Sequence, residues 1–169
     1  MGPDGTFSSE AAENYIKRNG LNVVVRYYTT IDSCFLGLRI GEVEKILVPW
    51  LNSVVGYIPE TIQNLSGYKI CDREILPISL HLAGIGQLDS LSYVHSKKEA
   101  VQQCRIKLSQ KDIKVIFEDS TAIAAARVKN HPNRAAIVSK RASEIYGLQI
   151  LEPNIQDSQD NKTEFIVVE

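Results

Sequence analysis

Leu91-Ser92-Tyr93-Val94-His95-Ser96-Lys97-Lys98-Glu99-Ala100-Val101-Gln102-Gln103-Cys104 changes its apolar period part-way along. Leu91 to Val94 has the compact apolar pattern of a buried strand, and from Ser96 the apolar positions recur at helical spacing, predicting a helix over 96–108. Ser96 and Glu99 have the spacing of a capping box, in which the two side chains satisfy backbone N–H groups at a helix start. A strand that passes into a helix through a hydroxyl-bearing turn is the unit from which parallel α/β sheets are built. The unit recurs twice downstream. Lys114 to Phe117 leads through Asp119-Ser120-Thr121-Ala122 into a helix over 121–129, and Ala135 to Val138 leads into a helix over 140–146. Three such units in a row place this part of the chain in the α/β class.

The same alternation extends upstream. Ser8 to Arg18 is amphipathic and ends at Asn19-Gly20, the β-branched run Asn22 to Tyr27 predicts a strand, and Ile31 to Ile40 predicts a helix stopped by Gly41. Ile46-Leu47-Val48 is a short buried strand, Pro49 and Gly56 bracket a loop, and Glu60 to Leu65 is helical. Tyr68 to Ala83 is extended and interrupted at Pro77, where the chain is expected to change lobe. Leu148 to Ile155 and Thr163 to Val168 are strands joined by the polar loop Gln156 to Lys162, and the last strand is expected to return to the first lobe. The expected organisation is therefore a first lobe of 1–77 plus 152–169 and a second lobe of 78–151. Ligands of open α/β sheets bind outside the carboxyl ends of the strands, so the site is expected in a cleft between the lobes.

Composition narrows the partners. The 169 residues are 44% hydrophobic and 23% charged, ordinary proportions for a packed core. Nineteen basic residues against 20 acidic ones give net charge −1, which offers nothing to attract a phosphate backbone or an anionic membrane. Nucleic acid and membrane are accordingly not expected partners. Cys34, Cys71 and Cys104 are widely spaced and suggest neither a zinc site nor a disulfide framework. No stretch approaches the ~18 apolar residues of a membrane span, and the N-terminus has no signal-like pattern, so cytoplasm is the expected compartment.

The residues able to carry chemistry cluster at element ends. Gly2-Pro3-Asp4-Gly5-Thr6-Phe7-Ser8-Ser9 is a Gly-rich turn entering a helix whose free N–H groups can hold a carboxylate, although a plain turn and N-cap also account for it. Lys97 and Lys98 put two cations in a first helical turn, which the helix dipole disfavours unless solvent or an anion offsets the cost. Ser120 and Thr121 sit at a strand-to-helix junction, with capping as the alternative explanation. Asn52 and Ser53 follow a buried strand, where an amide and a hydroxyl can face a cleft or simply close an Asx turn. His81, His95 and His131 lack metal-site spacing and receive no catalytic role. This inventory suits a small carboxylate-bearing ligand without naming a reaction.

Taken in order, these segments resemble the catalytic domain of prephenate dehydratases. Gly2-Pro3-Asp4-Gly5-Thr6-Phe7-Ser8 is similar to the family's GPEGTFS, Val48-Pro49-Trp50-Leu51-Asn52-Ser53 with Gly56 to its VPxENSxxG, and Leu76-Pro77-Ile78 to its LPI strand. Val94-His95-Ser96 running to Gln103-Cys104, Ser120-Thr121-Ala122 with Ala124-Ala125, Ala135-Ala136-Ile137 with Ser139, and Tyr146-Gly147-Leu148 continue the match. Ile155-Gln156-Asp157 and Asn161-Lys162-Thr163-Glu164-Phe165 complete it, the last containing the counterpart of the family's TRF. The resemblance implies a two-lobed fold of the type II periplasmic-binding-protein class, a homodimer, and conversion of prephenate to phenylpyruvate with loss of CO₂ and water. It implies Thr163 as the catalytic hydroxyl and Thr6, Asn52, Ser53, Ser96, Gln103, Ser120, Thr121 and Ala122 as substrate-binding or supporting residues. It implies no metal and no cofactor.

Three places in the chain depart from the family pattern. Glu164 replaces the arginine of TRF, Leu51 replaces an acidic residue, and Lys97-Lys98-Glu99 replaces the HPQ that follows Ser96. The family's first strand precedes GPEGTFS, so either that strand lies outside this chain or the first lobe is built without it. No regulatory ACT domain is expected within these residues. The alternatives to a prephenate dehydratase are a related lyase or prephenate decarboxylase of a secondary pathway, and a non-catalytic carboxylate-binding protein of the same fold.

Overall fold

The computed structural model describes residues 2–169. They form two compact units: one runs to Ile78 and resumes at Asp160–Glu169, and the other is Ser79–Gln159. The second unit extends beyond Leu151 because local bonds hold residues 155–157 to it. Ile155 N donates to Leu80 O at 2.8 Å, Leu80 N to the Gln156 side-chain oxygen at 3.0 Å, and Asp157 N to Gln103 O at 2.6 Å.

The first unit contains helices α1 (Phe7–Arg18), α2 (Ile31–Arg39) and α3 (Pro59–Asn64), and strands β1 (Ile46–Asn52), β2 (Gly56–Tyr57) and β3 (Ile70–Pro77). The last strand of the chain, β9 (Lys162–Val168), lies between β1 and β3 and is antiparallel to both, giving the order β2-β1-β9-β3. Thr6 caps α1 by accepting from Ser9 N at 3.2 Å. Thr30 and Ser33 form a reciprocal capping box at α2. Ile31, Cys34 and Phe35 of α2 bury against Ile46, Val48, Ile166 and Val168 of the sheet.

Two expectations for this unit need correction. Asn22 to Tyr27 is not a strand: residues 21–28 carry no regular secondary structure, because no neighbouring edge pairs with them. A β-branched sequence makes a strand only where a ladder is available. Pro49, conversely, does not end β1, which continues to Asn52. The register against β9 shifts between Pro49 and Leu51, and an irregularity of this kind accommodates a residue with no N–H.

The second unit contains β4 (His81–Gly84), a 3-10 turn (Leu88–Ser90), β5 (Tyr93–Ser96), α4 (Lys98–Gln102), α5 (Arg105–Ser109), β6 (Lys114–Phe117), α6 (Thr121–Val128), β7 (Arg134–Val138), α7 (Lys140–Ile145) and β8 (Gln149–Glu152). Its sheet has the order β6-β5-β7-β4-β8. The first three strands are parallel, whereas β4 is antiparallel to β7 and β8. Ala124, Ala125 and Val128 of α6 pack on Ala83, Ala136 and Val138, and these small side chains let the helix lie close to the sheet.

The stretch from Leu91 to Leu108 also differs from expectation. The strand begins two residues later, at Tyr93, and the single helix is two helices. Asp157 accounts for the break: its carboxylate accepts from Arg105 N and Ile106 N, both at 3.1 Å, and so caps a new helix. The Ser96/Glu99 capping box is absent. Ser96 ends β5 with its hydroxyl buried and donating to Ile137 O at 2.8 Å, and the α4 cap residue, Lys97, makes no side-chain cap.

Candidate active site

In the first unit the strand ladder decides which side chains meet. Asn52 and Thr163 are cross-strand partners in β1 and β9, and Leu76 of β3 stands opposite Thr163 on the other side. Asn52 is 6% exposed, Asn161 3% and Thr163 8%, so this polar group is shielded from bulk water. The Asn52 oxygen accepts from Val54 N at 2.9 Å and Val55 N at 3.0 Å, forming an Asx turn that fixes the amide's orientation. Its Nδ2 must then point the other way. It donates to Thr163 Oγ1 and Asn161 Oδ1, each at 2.9 Å, and lies 3.2 Å from Lys162 O.

This arrangement polarises the threonine. With Asn52 donating to Oγ1, the Thr163 hydroxyl proton is directed away from the amide and is available to an acceptor. Ser53, immediately next, is exposed and engaged with the backbone. Its hydroxyl donates to Asp160 O at 2.9 Å and accepts from Lys162 N at 3.0 Å, fastening the loop before β9. Glu164 pairs with Ile75 in the ladder while Thr163 pairs with Leu76, so their side chains project from opposite faces. Glu164 forms an ion pair with Arg73 of β3 on its own face. Thr6 lies apart in sequence, and its described role is the α1 cap.

The second unit gathers serines where its parallel strands end. Ser96 follows Tyr93-Val94-His95, while Ser120 and Ser139 cap α6 and α7, accepting from Ile123 N at 3.1 Å and Ala142 N at 3.0 Å. Thr121 and Ala122 form the buried first turn of α6, where unpaired backbone N–H groups and the helix dipole favour an anion. Gln103 lies between α4 and α5, and its carbonyl receives the Asp157 N–H. Beside it, burial and the Asp157 charge push the Cys104 thiol up to about 12, so Cys104 is a packed thiol rather than a nucleophile.

Sequence reasoning overlooked two polar arrangements. Asn161 belongs to the Asn52–Thr163 cluster; the sequence places it in the family's closing run, Asn161 to Phe165, but gives it no role. His95 is buried, and its Nδ1 lies 2.9 Å from a Glu118 oxygen. Its Nε2 has no hydrogen-bond partner among the described residues. This pair fastens β5 to the segment entering α6. His81 accepts from Asn154 N at 3.1 Å, and burial, with Lys140 nearby, holds it below the usual histidine range. Among the described residues no three His, Cys, Asp or Glu side chains gather as a metal site.

The family model for prephenate dehydratase matches residues 1–169. The chain belongs to the prephenate dehydratase family. It is 31% identical to the prephenate dehydratase of Lactococcus lactis subsp. cremoris over 98% of this chain and 60% of that protein. It is 31% identical to a bifunctional chorismate mutase/prephenate dehydratase of Stutzerimonas stutzeri over 99% of this chain and 47% of that one. The chain thus spans roughly half to three fifths of these relatives. A prephenate dehydratase from Arthrobacter aurescens, solved in complex with L-Phe, superposes with a TM-score of 0.85 at 24% identity, covering all of this chain and 58% of that one. A Bacillus subtilis lipoprotein described as methionine-binding has a TM-score of 0.53 at 13% identity, covering 94% of this chain and 76% of that one. The prephenate dehydratase fold is accordingly of the periplasmic-binding-protein kind. Among the described residues, no helix is long and apolar enough to cross a membrane.

Proposed function

We propose that this chain is a carbon–oxygen lyase that converts prephenate to phenylpyruvate, carbon dioxide and water, with the Thr163 hydroxyl as its catalytic group. The observation carrying this reading is the Asn52 donor at 2.9 Å from Thr163 Oγ1, within a chain matched from end to end by the family. In the reaction the bond from the ring to its carboxylate breaks, and the electron pair enters the ring. The C4–oxygen bond breaks as the ring becomes aromatic. The departing oxygen develops negative charge, takes a proton supplied ultimately by solvent, and leaves as water. A shielded hydroxyl already held as an acceptor by Asn52 donates to that oxygen, which stabilises charge where it develops.

The start of α6, with Ser120, Thr121 and Ala122, suits a substrate carboxylate, because unpaired N–H groups there offer oriented donors. The ligand of this reading is a small dicarboxylate, with no metal or other cofactor required. The family resemblance supports a cytoplasmic homodimer. Incubation with prephenate and identification of the product tests the reaction: phenylpyruvate is expected, whereas a non-aromatic dihydro acid or unchanged prephenate overturns it. Thr163→Ala is expected to lower turnover about 10- to 1,000-fold with the fold intact, the scale of one transition-state donor, and Thr163→Ser to retain much more. Equal turnover by all three proteins removes Thr163 from the mechanism.

A further inference from the structure

The second unit holds a buried polar pair that the reaction above does not use. His95 is 3% exposed, and its Nδ1 lies 2.9 Å from a Glu118 oxygen. A carboxylate only accepts, so Nδ1 carries the proton in this contact. His95 stands level with Ala136 in the β5–β7 register, and register partners share a face of the sheet. Ala136 packs with Ala124 and Ala125 of α6, so the imidazole lies on the face that α6 covers.

Glu118 is thereby joined to the end of β5 twice. Its N–H donates to Ser96 O at 3.0 Å, and its side chain meets the imidazole of the residue before. Ser96 is itself fixed, since its hydroxyl donates to Ile137 O of β7. The second Glu118 oxygen lies 3.9 Å from Nε of Arg127 on α6, an exposed side chain whose contribution is small. Two residues past Glu118, Ser120 caps α6 by accepting from Ile123 N at 3.1 Å. A short turn pinned at Glu118 therefore sets where α6 begins.

Stability is a weak reason for such a pair. Burying an imidazole and a carboxylate takes both from water, and two apolar side chains of similar size commonly serve as well or better. What the pair adds is direction, because a hydrogen bond weakens steeply off its angle whereas apolar burial is non-directional.

We propose that His95 is a positioning residue for the substrate: acting through Glu118, it holds the turn 118–120 so that the first N–H groups of α6 meet a substrate carboxylate. This role rests on the reading in which α6 binds that carboxylate, and it narrows which one. N–H groups that favour an anion oppose departure of the ring carboxylate as neutral CO₂, so the group held at α6 is the carboxylate kept in phenylpyruvate. That carboxylate is charged in substrate, transition state and product alike, so the pair acts on binding rather than on the chemical step.

The double variant His95→Leu/Glu118→Leu tests this, because it removes both polar groups and strands neither. It is expected to melt within about 3 °C of the parent, yet to raise KM for prephenate and Kd for phenylpyruvate about tenfold with kcat within about threefold. A purely structural pair leaves KM and Kd within about twofold once the fold is kept, and that result overturns the proposal, as does a fall in kcat alone. Should the double variant not fold, two single amides decide. His95→Asn keeps a donor near the place of Nδ1 and is expected to hold KM within about twofold, whereas His95→Gln moves it toward the place of Nε2 and is expected to raise KM about tenfold. Equal values for the two reject the proposal. A parent protein that binds neither prephenate nor phenylpyruvate overturns the carboxylate reading itself and the role of His95 with it; equal binding by parent and double variant overturns the role of His95 alone.

Discussion

Asn52→Asp separates the orientation of the Thr163 hydroxyl from its mere presence. The substitution is nearly isosteric, and one carboxylate oxygen can still accept from Val54 N and Val55 N. The other oxygen occupies the place of Nδ2, 2.9 Å from Asn161 Oδ1 and from Thr163 Oγ1 and 3.2 Å from Lys162 O. Three favourable contacts of a donor become contacts of an anion with acceptors. Thr163 can respond by turning its proton toward the carboxylate and so withdrawing it from a substrate. A buried charge held against the Lys162 carbonyl costs about 2–4 kcal/mol, measurable by urea unfolding. Turnover is expected to fall about 100-fold or more, close to the Thr163→Ala level, although the hydroxyl remains. Burial raises a carboxyl's pKa, and once protonated the introduced group can again donate to Thr163. Activity relative to the parent protein is therefore expected to recover as the pH is lowered. Folded protein with parental turnover at pH 8 would refute the orientation argument.

Glu164→Arg places a cation on the face opposite Thr163, beside Arg73, so KM for a dianionic substrate and its salt dependence are expected to stay within about twofold while stability falls by about 1 kcal/mol or less. A marked, salt-sensitive fall in KM would put residue 164 at the substrate. Ser120→Ala removes the α6 cap and is expected to cost about 1 kcal/mol in chemical unfolding, a loss that Ser120→Asp largely restores. Glu152 is held below the usual carboxylate range, first by its hydrogen bond to Lys111 and then by Lys107, against an opposing contribution from burial. A depressed folded-state pKa means stabilisation that is present above the unfolded value, about 4.3, and is lost as pH falls through the folded one. Glu152→Gln should therefore destabilise by about 0.5–1 kcal/mol at pH 7, and the difference from the parent should shrink as pH drops below about 4, followed by thermal melts across pH.

Period and punctuation were enough to read the β5–α4, β6–α6 and β7–α7 units, because each depends on neighbours in sequence. The misreadings share a physical origin. Val23-Val24-Val25 has the composition of a strand but no adjacent edge, and local sequence does not reveal whether a ladder partner exists. Ser96 and Glu99 have capping-box spacing, but Ile137 O claims the serine and Asp157, distant in sequence, restarts the helix at Arg105. The site divides in the same way. The family motifs singled out Asn52 and Thr163 separately, whereas the bond between them spans 111 positions and follows from the β1–β9 register. Asn161 and His95 stand within matched motifs, but the contacts that give them a place, to Asn52 and to Glu118, emerge only from the packing.

The central position of β9 sets an order of assembly. β1 and β3 do not pair with each other; each pairs with β9, the strand made after all of Ser79–Gln159. During synthesis the second unit has every strand of its sheet available while the first still has two separated edges and no strand to join them. Its ladder closes only after the longest-range contacts of the chain form, and loop-closure entropy makes such contacts slow. The same closing step brings Thr163 beside Asn52, so the proposed catalytic hydroxyl is oriented by a strand made after the whole of the second unit. A ribosome-bound chain stalled within β9 would hold a complete set of second-unit strands and no active hydroxyl.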